Sequence, residues 1–294
     1  MRTIKAAAKV NLNLAVTGRD DQNYHHLLSL VVFTEFGDEL SFAPANNHLV
    51  TLSGTFASHL EKAGGEQLLA KAIALYQEIT ADERHYHIKL VKQIPLGGGL
   101  GGGSADAGAL LQSLCTDNAL SETVKQKIRQ ASIRLGADVP ACFDSQMQII
   151  SSIGEVPFYC PAPDWYPEMV LVNPHCHADT KSVFATYANQ QPGFSTLDQD
   201  RLAKWVKAAC WDKILSAGND LTRPALTLYP AIEDMLLAMN EKGRHYGSDF
   251  IGCSMTGSGA SAFALFQNRD KAKAYATDLQ KAGLWAVHTA MKQL

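Results

Sequence analysis

The stretch from Pro95 to Ala105 reads Pro-Leu-Gly-Gly-Gly-Leu-Gly-Gly-Gly-Ser-Ala. Six of the seven residues from Gly97 to Gly103 are glycine, and ordering each one costs much backbone freedom, so a use for them is expected. Glycine reaches positive φ and admits a ligand closely, and successive N–H groups then point at one anion. A strand is predicted before the stretch (His85–Val91) and a helix after it (Ala105–Leu114), so the helix N-terminus adds its own N–H groups and dipole. The pattern therefore favours a loop that binds nucleotide phosphates.

A flexible or tightly packed glycine turn that binds nothing is the alternative, because glycine content alone is a weak signal. The loop lacks the Gly-Lys-Ser/Thr of a Walker A motif. No early βαβ unit precedes it, which argues against a dinucleotide-binding fingerprint. Residues 18–20 (Gly-Arg-Asp) and 249–252 (Asp-Phe-Ile-Gly) resemble protein kinase motifs only superficially, and that class is excluded.

Two further segments of small residues are candidates for the same site. Met255–Ala262 lies between two apolar strands; alone it indicates a hairpin or bulge, but its N–H and hydroxyl groups could complete an anion site. Leu135–Pro140 reads Leu-Gly-Ala-Asp-Val-Pro, and Gly136 suits a helix C-cap. Asp138 is either the N-cap of the next element or a carboxylate held at the phosphate site.

Strand and helix patterns alternate along the rest of the chain and predict an α+β protein. Proline-rich residues 157–167 indicate a linker, which separates a predicted N-terminal domain (1–156) carrying the phosphate loop from a C-terminal domain (157–294). Strands are predicted at 6–17, 27–33, 39–42, 49–52, 85–91, 169–172, 250–255, 262–266 and 285–289, and helices at 67–79, 105–114, 121–135, 200–209, 230–239 and 270–281.

The composition favours a small-molecule ligand. The chain of 294 residues has a formal net charge of −3, without the basic excess typical of nucleic-acid binders. No apolar run has the length of a membrane span, and the N-terminus lacks a secretory signal pattern. The six cysteines are widely spaced without a C-x-x-C pair, which is typical of reduced thiols. We expect a cytoplasmic protein with no nucleic-acid or membrane partner.

The residues around His175-Cys176-His177 raise the question of a metal site. Two histidines and one cysteine supply too few ligands for structural zinc, and alternate side chains of an extended segment face opposite ways. The segment is predicted to be a loop near a substrate pocket.

Taken together, the motifs resemble those of the GHMP kinase superfamily. Its three motifs stand in order at Lys9–Leu12, Pro95–Ala105 and Thr256–Ser261. The resemblance implies an α+β fold of two domains, a ribosomal-protein-like N-terminal domain and a ferredoxin-like C-terminal domain. Further matching stretches lie at 8–14, 24–27, 36–38, 135–140 and 219–221, over nearly the whole chain.

The resemblance also implies roles for particular residues. Asp138 stands at the position of the catalytic aspartate and Lys9 at that of the lysine beside it. ATP and Mg²⁺ are the implied cofactors; the metal ligands are unknown, with Ser104 as one candidate. The implied ATP-binding residues are Lys92, Pro95, Gly97, Gly98, Gly99, Gly101, Gly102, Gly103, Ser104 and Ala105, and the implied substrate-binding residues are Asn11, Tyr24, His25, Thr180 and Phe184.

The substrate implied by the Tyr24, His25 and Phe184 positions is a cytidine diphosphate sugar alcohol of isoprenoid biosynthesis, phosphorylated by a monomer or weak homodimer. Alternatives are another small-molecule kinase of the superfamily, of homoserine or mevalonate type, and a non-catalytic nucleotide-binding protein of the same fold. Two positions depart from the pattern. Asn23 replaces a glycine, which asparagine's tolerance of left-handed backbone allows. Gln67 replaces an asparagine at the adenine contacts.

Overall fold

The computed structural model describes residues 3–21, 25–62, 64, 66–152 and 156–293. Strands and helices alternate within these residues, as expected for an α+β protein. The strands are β1 (Thr3–Asn11), β2 (Ala15–Arg19), β3 (His25–Ala45), β4 (Leu49–Ser53), β5 (His85–Val91), β6 (Gln148–Ser152), β7 (Val156–Tyr159), β8 (Glu168–Asn173), β9 (Phe250–Met255), β10 (Ala262–Phe266) and β11 (Trp285–Ala290). The helices are α1 (Ala57–Lys62), α2 (Gln67–Thr80), α3 (Gly102–Asp117), α4 (Glu122–Ala131), α5 (Val139–Asp144), α6 (Thr180–Gln190), α7 (Gln199–Lys207), α8 (Trp211–Ser216), α9 (Thr222–Leu228), α10 (Pro230–Arg244) and α11 (Arg269–Lys281).

The chain forms two compact units, each built from several segments. Because neither unit is continuous in sequence, they do not test the predicted domain boundary between residues 156 and 157, which stays a prediction. Unit 1 comprises Met1–Lys9, Phe36–Leu96 and Gly101–Gln146, and unit 2 comprises Val10–Glu35, Gly97–Leu100 and Met147–Leu294.

Unit 1 packs helices against a sheet formed by β4, β5 and the C-terminal half of β3. β5 pairs antiparallel with residues 39–45 of β3 and parallel with β4. Tyr86, Ile88 and Leu90 of β5 alternate with more exposed residues and are buried, as the period-two pattern predicts. The buried faces of α2 and α3 are apolar at helical spacing.

Gly108 of α3 sets the position of α5. A Cβ added at Gly108 would lie 2.6 Å from both the backbone carbon of Cys142 and the nitrogen of Phe143. Only glycine therefore allows α5 to lie this close to α3. Since Asp138 stands at the N-cap of α5, this contact fixes the start of the helix from which Asp138 extends.

Unit 2 contains a four-stranded antiparallel sheet in the order β11-β8-β10-β9. Numbered in chain order within the sheet, this is 4-1-3-2, the strand order of the ferredoxin-like βαββαβ arrangement. α10 leads into β9, and α11 connects β10 to β11. All residues of the two central strands except Glu168 are buried, and Val170, Val172, Ala264 and Phe266 belong to one apolar core.

Unit 2 also contains the N-terminal half of β3, which pairs antiparallel with both β2 and β6. β6 pairs in turn with β7, in which Pro157 lies opposite Ile150. The prediction that residues 157–167 are entirely linker is therefore wrong at its start. β7 has one pairing partner among the described strands, and a strand at a sheet edge tolerates proline because it has a free side.

Helix and strand ends differ from the prediction in informative places. α3 begins at Gly102 rather than Ala105, because Gly101 takes the left-handed conformation (φ 64°, ψ 23°) at the N-cap. Residues 27–33 and 39–42 belong to one strand, β3. α1, α5, α6, α8, α9, β6 and β7 were not predicted. No helix in the described part of the chain is long and apolar enough to cross a bilayer.

Candidate active site

Lys9 of β1 and Asp138 form an ion pair in unit 1. Lys9 Nζ lies 2.6 Å from Asp138 Oδ1; the lysine side chain is 5% exposed and the aspartate side chain 41%. Asp138 occupies the N-cap position of α5, but its side chain makes no capping hydrogen bond. The capping interpretation left open by the sequence therefore does not explain this carboxylate. An accessible carboxylate beside a buried ammonium is suited to accept a proton from a ligand and to stabilise the negative charge that develops.

The N-terminus of α3 lies beside Lys9. A Cβ added at Gly101, the N-cap of α3, would lie 3.2 Å from Lys9 Cβ. Ala105 N–H donates to the Gly101 carbonyl at 2.7 Å, which closes the first turn. No side chain among the described residues caps the N-terminus of this 16-residue helix. Its first N–H groups and its dipole are thus available to an anion, next to the Lys9–Asp138 pair.

A buried cluster of charged side chains lies next to the first turn of α3. Lys92 Nζ donates to Asp38 Oδ2 at 2.5 Å and to Asp106 Oδ2 at 2.6 Å, and all three side chains are at most 1% exposed. Asp38 Oδ1 accepts from the backbone N–H groups of Gln93 and Ile94. The cluster joins β3, the end of β5 and α3, and so it fixes the backbone that leads into the glycine loop.

Burial and the neighbouring charges shift the pKa values of this cluster in opposite directions. Burial alone would lower the pKa of Lys92, but Asp106 and Asp38 outweigh it and raise that pKa to about 12. Burial raises the pKa of Asp106 well above its usual range, in spite of Lys92. Asp106 Oδ1 has no hydrogen-bond partner in the described part of the chain. The ammonium of Lys92 is enclosed by this cluster, so the structure does not support the predicted direct contact of Lys92 with ATP.

The start of α2 also lies near the loop. Glu66 caps α2 by accepting from the N–H groups of Leu68 and Leu69, and burial raises the pKa of Glu66. A Cβ added at Gly103 would lie 3.7 Å from Leu68 Cδ2. Gln67, the residue that departs from the family pattern, is exposed beside Leu68.

The first half of the glycine loop packs against the third motif in unit 2. Ser261 N–H donates to the Gly98 carbonyl at 2.9 Å. Gly99 has φ +71°, and a Cβ there would lie 2.5 Å from the Thr256 carbonyl oxygen and 2.7 Å from that of Gly259. At Gly99, therefore, the loop is tightly packed, and backbone contact requires glycine. Of the predicted loop residues, Pro95, Gly101, Gly102, Gly103, Ser104 and Ala105 lie in unit 1, and Gly97, Gly98 and Gly99 lie in unit 2.

Asn219 holds the third motif and had no predicted role. Its Nδ2 donates to the carbonyls of Met255 (3.0 Å) and Gly257 (2.8 Å), at both sides of Thr256. Its neighbour Asp220 accepts from the N–H of Val16 at 2.7 Å. The resemblance included Asn219-Asp220-Leu221 as a matching stretch, and this was the available signal for a structural role.

Asn11 is fixed by the same motif. Its backbone N–H donates to Thr256 Oγ1 at 2.8 Å, and its Nδ2 donates to Ser29 Oγ at 2.7 Å. Ser29 Oγ in turn donates to the Asn13 carbonyl. Asn11 is buried, and these bonds hold its side chain in one orientation.

Aromatic side chains of unit 2 gather around His25. The His25 ring stacks on Phe184 with centroids 5.5 Å apart and 24° between planes, and Tyr187 contacts it edge-on at 5.3 Å. Burial, with a contribution from Arg19, lowers the pKa of His25 and favours the neutral ring. Tyr187 and Arg19 were not predicted here; both line a cavity together with His25.

Thr180 and Tyr24 are the two remaining predicted substrate residues. Thr180 begins α6, and its Oγ1 lies 2.8 Å from Ser258 Oγ of the third motif. Tyr24 lies outside the described residues. Among the described residues, no group of three or more His, Cys, Asp or Glu side chains is arranged to hold a metal ion.

Family comparison identifies the class of protein. The model of the GHMP kinases N terminal domain matches residues 67–146, and that of the GHMP kinases C terminal domain matches residues 197–283. The matches together cover more than half of the chain, and the chain belongs to the GHMP kinase family. Kinases of this family use ATP as the phosphoryl donor.

Two relatives and one crystal structure are similar to nearly the whole chain. The chain is 36% identical, over 95% of its length and 94% of the relative's, to the 4-diphosphocytidyl-2-C-methyl-D-erythritol kinase of Paramagnetospirillum magneticum. It is 35% identical to the enzyme of the same name from Rhodopseudomonas palustris, over 97% of this chain and 95% of that one. A crystal structure of 4-(cytidine 5'-diphospho)-2C-methyl-D-erythritol kinase superposes over the full length of both chains with a TM-score of 0.76 and 26% identity.

Proposed function

We propose that this chain transfers the γ-phosphoryl group of ATP to the 2-hydroxyl of 4-diphosphocytidyl-2-C-methyl-D-erythritol, a step of the non-mevalonate route to isopentenyl diphosphate. The observation that carries the chemistry is the 2.6 Å contact between Lys9 Nζ and Asp138 Oδ1 beside the uncapped N-terminus of α3. The names of relatives that match nearly the whole chain support the choice of acceptor.

Asp138 is the proposed general base. Its carboxylate is accessible, does not cap α5 and accepts a hydrogen bond from Lys9 alone among the bonds described, so it can take the proton of the acceptor hydroxyl. Lys9 holds this carboxylate in place and supplies positive charge where the alkoxide develops. Phosphoryl transfer needs little more from a protein than such positioning and charge.

The N-terminus of α3 is the proposed phosphate-binding element. Gly102, Gly103 and Ser104 form its first turn, and their N–H groups have no partner within the helix. Mg²⁺ in kinase sites is held mainly by substrate phosphates and water. Ser104 is the residue proposed to hold the ion, which neutralises phosphate charge when bound.

Unit 2 is proposed to recognise the cytidylyl group. Phe184 offers a flat aromatic face, now covered by the neutral His25 ring, and a pyrimidine base can stack on such a face. His25 and Thr180 supply hydrogen-bonding groups, and Asn11, whose side chain is held by Ser29, is the residue proposed to contact the acceptor hydroxyl. The predicted domains, the cytoplasmic location and the monomeric or weakly dimeric state stay predictions.

The test is a phosphorylation assay with the full chain, ATP, Mg²⁺ and 4-diphosphocytidyl-methylerythritol, with the product identified by mass. Homoserine and mevalonate are the competing acceptors, assayed in parallel. We expect ATP-dependent addition of one phosphoryl group to the cytidylyl acceptor alone. Transfer to homoserine or mevalonate instead would overturn the choice of acceptor and leave the kinase class in place.

A further inference from the structure

The segment between β8 and α6 lies directly on the glycine loop. Gly97 has φ +58°, and a Cβ added there would lie 1.8 Å from Nδ1 and 2.1 Å from Cε1 of His177. The imidazole thus occupies the space that any side chain at position 97 would need. The Ala178 N–H, one residue further on, donates to the Gly97 carbonyl at 3.1 Å.

Hydrogen bonds on the C-terminal side of His177 hold this segment in place. Asp179 N–H donates to Tyr229 Oη at 2.9 Å, and Asp179 Oδ2 caps α6 by accepting from Ser182 N–H. Thr180 Oγ1 contacts Ser258 Oγ at 2.8 Å. With the Ala178–Gly97 bond, three successive residues are anchored, so the position of His177 over the loop is fixed before any ligand arrives.

The His177 imidazole is not a buried ring whose nitrogens are hydrogen-bonded within the protein. His177 is exposed, and its ring nitrogens make no hydrogen bond with any residue in the described ranges. Burial of the ring therefore does not explain why a polar aromatic side chain lies on bare backbone of the glycine loop. Histidine offers at least one N–H donor in either protonation state, and this ring lies directly against the glycine loop.

We propose that His177 donates a hydrogen bond to a phosphate oxygen of a nucleoside polyphosphate bound over Gly97–Leu100. This inference rests on the proposed function and adds a binding residue outside the three family motifs. Two ligands of that function carry the same chemistry, the triphosphate of ATP and the diphosphate of the cytidylyl acceptor. The experiment separates them.

Binding is measured by isothermal titration calorimetry on the full chain, with ATP and Mg²⁺ in one arm and cytidine diphosphate in the other. His177→Ala is compared with His175→Ala, which removes the same side chain two residues away at another exposed position. We expect His177→Ala to raise the Kd of one of the two ligands about tenfold, the size expected for loss of a hydrogen bond to a charged group. His175→Ala should stay within about twofold of the unsubstituted chain.

His177→Gln provides a second test, since its amide retains an N–H donor at similar reach and should restore part of the lost affinity. A purely structural contribution of the ring would instead lower the thermal midpoint of His177→Ala and leave both Kd values equal to those of His175→Ala, which overturns the proposal. Because binding is read without turnover, a chain that binds ATP but does not phosphorylate the cytidylyl acceptor still tests His177. Failure of the unsubstituted chain to bind either nucleotide overturns this inference.

Discussion

At the scale of single residues, Asp138 can be changed with little structural cost, because its side chain does not cap α5. Asp138→Asn keeps the shape and the contact with Lys9 but cannot accept a proton. We expect kcat to fall about 10²- to 10⁴-fold while the Kd of ATP stays nearly unchanged. Steady-state kinetics and calorimetry measure the two quantities. A kcat near that of the unsubstituted chain would remove Asp138 from the role of base.

Lys9 gives the second prediction at this scale. Lys9→Met keeps the apolar stem that packs against Gly101 and removes only the ammonium. We expect a fall in kcat of at least about 10²-fold, because the interaction matters most as charge develops in the transition state. The separate values of kcat and KM decide between the two roles of Lys9: a change confined to KM would show that Lys9 only binds substrate. Lys5→Met, at an exposed position of the same strand, is the matched control.

The sequence could indicate the residues of this pair but not their contact. Lys9 and Asp138 are 129 positions apart, and no local rule brings such residues together; only the resemblance to a family did so. Lys92 shows the opposite case. Its place before the loop suggested a phosphate ligand, whereas its partners Asp38 and Asp106 lie 54 and 14 positions away and enclose it. Burial by distant partners is not visible in a lysine's local sequence.

At the scale of elements, the buried cluster links β3, β5 and α3, and it predicts a pH-dependent stability. A folded-state pKa of Asp106 above its ordinary value of 3.8 means that the folded chain holds this proton more tightly than the unfolded chain. Its contribution to stability is therefore complete below that ordinary value and declines as the pH rises towards the folded pKa. Asp106→Asn cannot lose a proton and lacks this decline.

The measurement is urea unfolding of both proteins at about pH 4 and about pH 8. We expect the stability of Asp106→Asn relative to the unsubstituted chain to be higher at the upper pH. Asp117→Asn, at the exposed end of the same helix, is the control that removes a carboxylate outside the cluster. An equal difference at both pH values would contradict the raised pKa.

The contact between α3 and α5 gives another prediction at this scale. Gly108→Ala places a Cβ against the backbone of Cys142 and Phe143, so α5 must move away. We expect a loss of about 1–3 kcal/mol of unfolding free energy and a lower kcat, because Asp138 moves with α5. Chemical denaturation and kinetics measure both. Gln112→Ala, on the exposed face of α3, is the control. An unchanged unfolding free energy of Gly108→Ala would show that α5 can move away from α3 without loss of stability.

Which elements the sequence could predict follows from how they are stabilised. β9 and β10 were predicted with the bounds that the structure has, since both are apolar runs between turn residues. α5 has six residues with a proline in its first turn, and packing against α3 rather than any periodic pattern stabilises it. α6 buries only Val183 and Tyr187, so its apolar face was too sparse to recognise.

At the scale of the whole molecule, the α+β class was predictable and the membership of the compact units was not. β3 is 21 residues long, and its two halves pair with different strands, residues 25–31 with β2 and β6 and residues 39–45 with β5. A linear sequence gives no sign of such a division within one strand. The ferredoxin-like order of the sheet in unit 2 agrees with the fold that the resemblance implied.

Ligand binding should be visible in the stability of the whole chain. ATP with Mg²⁺ at about 100 times its Kd should stabilise the folded chain by about 2.7 kcal/mol, because a ligand that binds only the folded state shifts the unfolding equilibrium. Scanning calorimetry measures the rise in the unfolding midpoint, and Asp138→Asn should show the same rise. The absence of any rise would contradict nucleotide binding.

The packing of Gly99 bears on how the loop could be re-engineered. Its neighbours are carbonyl oxygens of the main chain, which no change of side chains elsewhere can remove, so the position admits no substitute. Gly103 lies in the first turn of α3, and the nearest atom to an added methyl group is a leucine carbon at 3.7 Å. Variant libraries aimed at a different phosphoryl donor should therefore keep position 99 constant and diversify position 103.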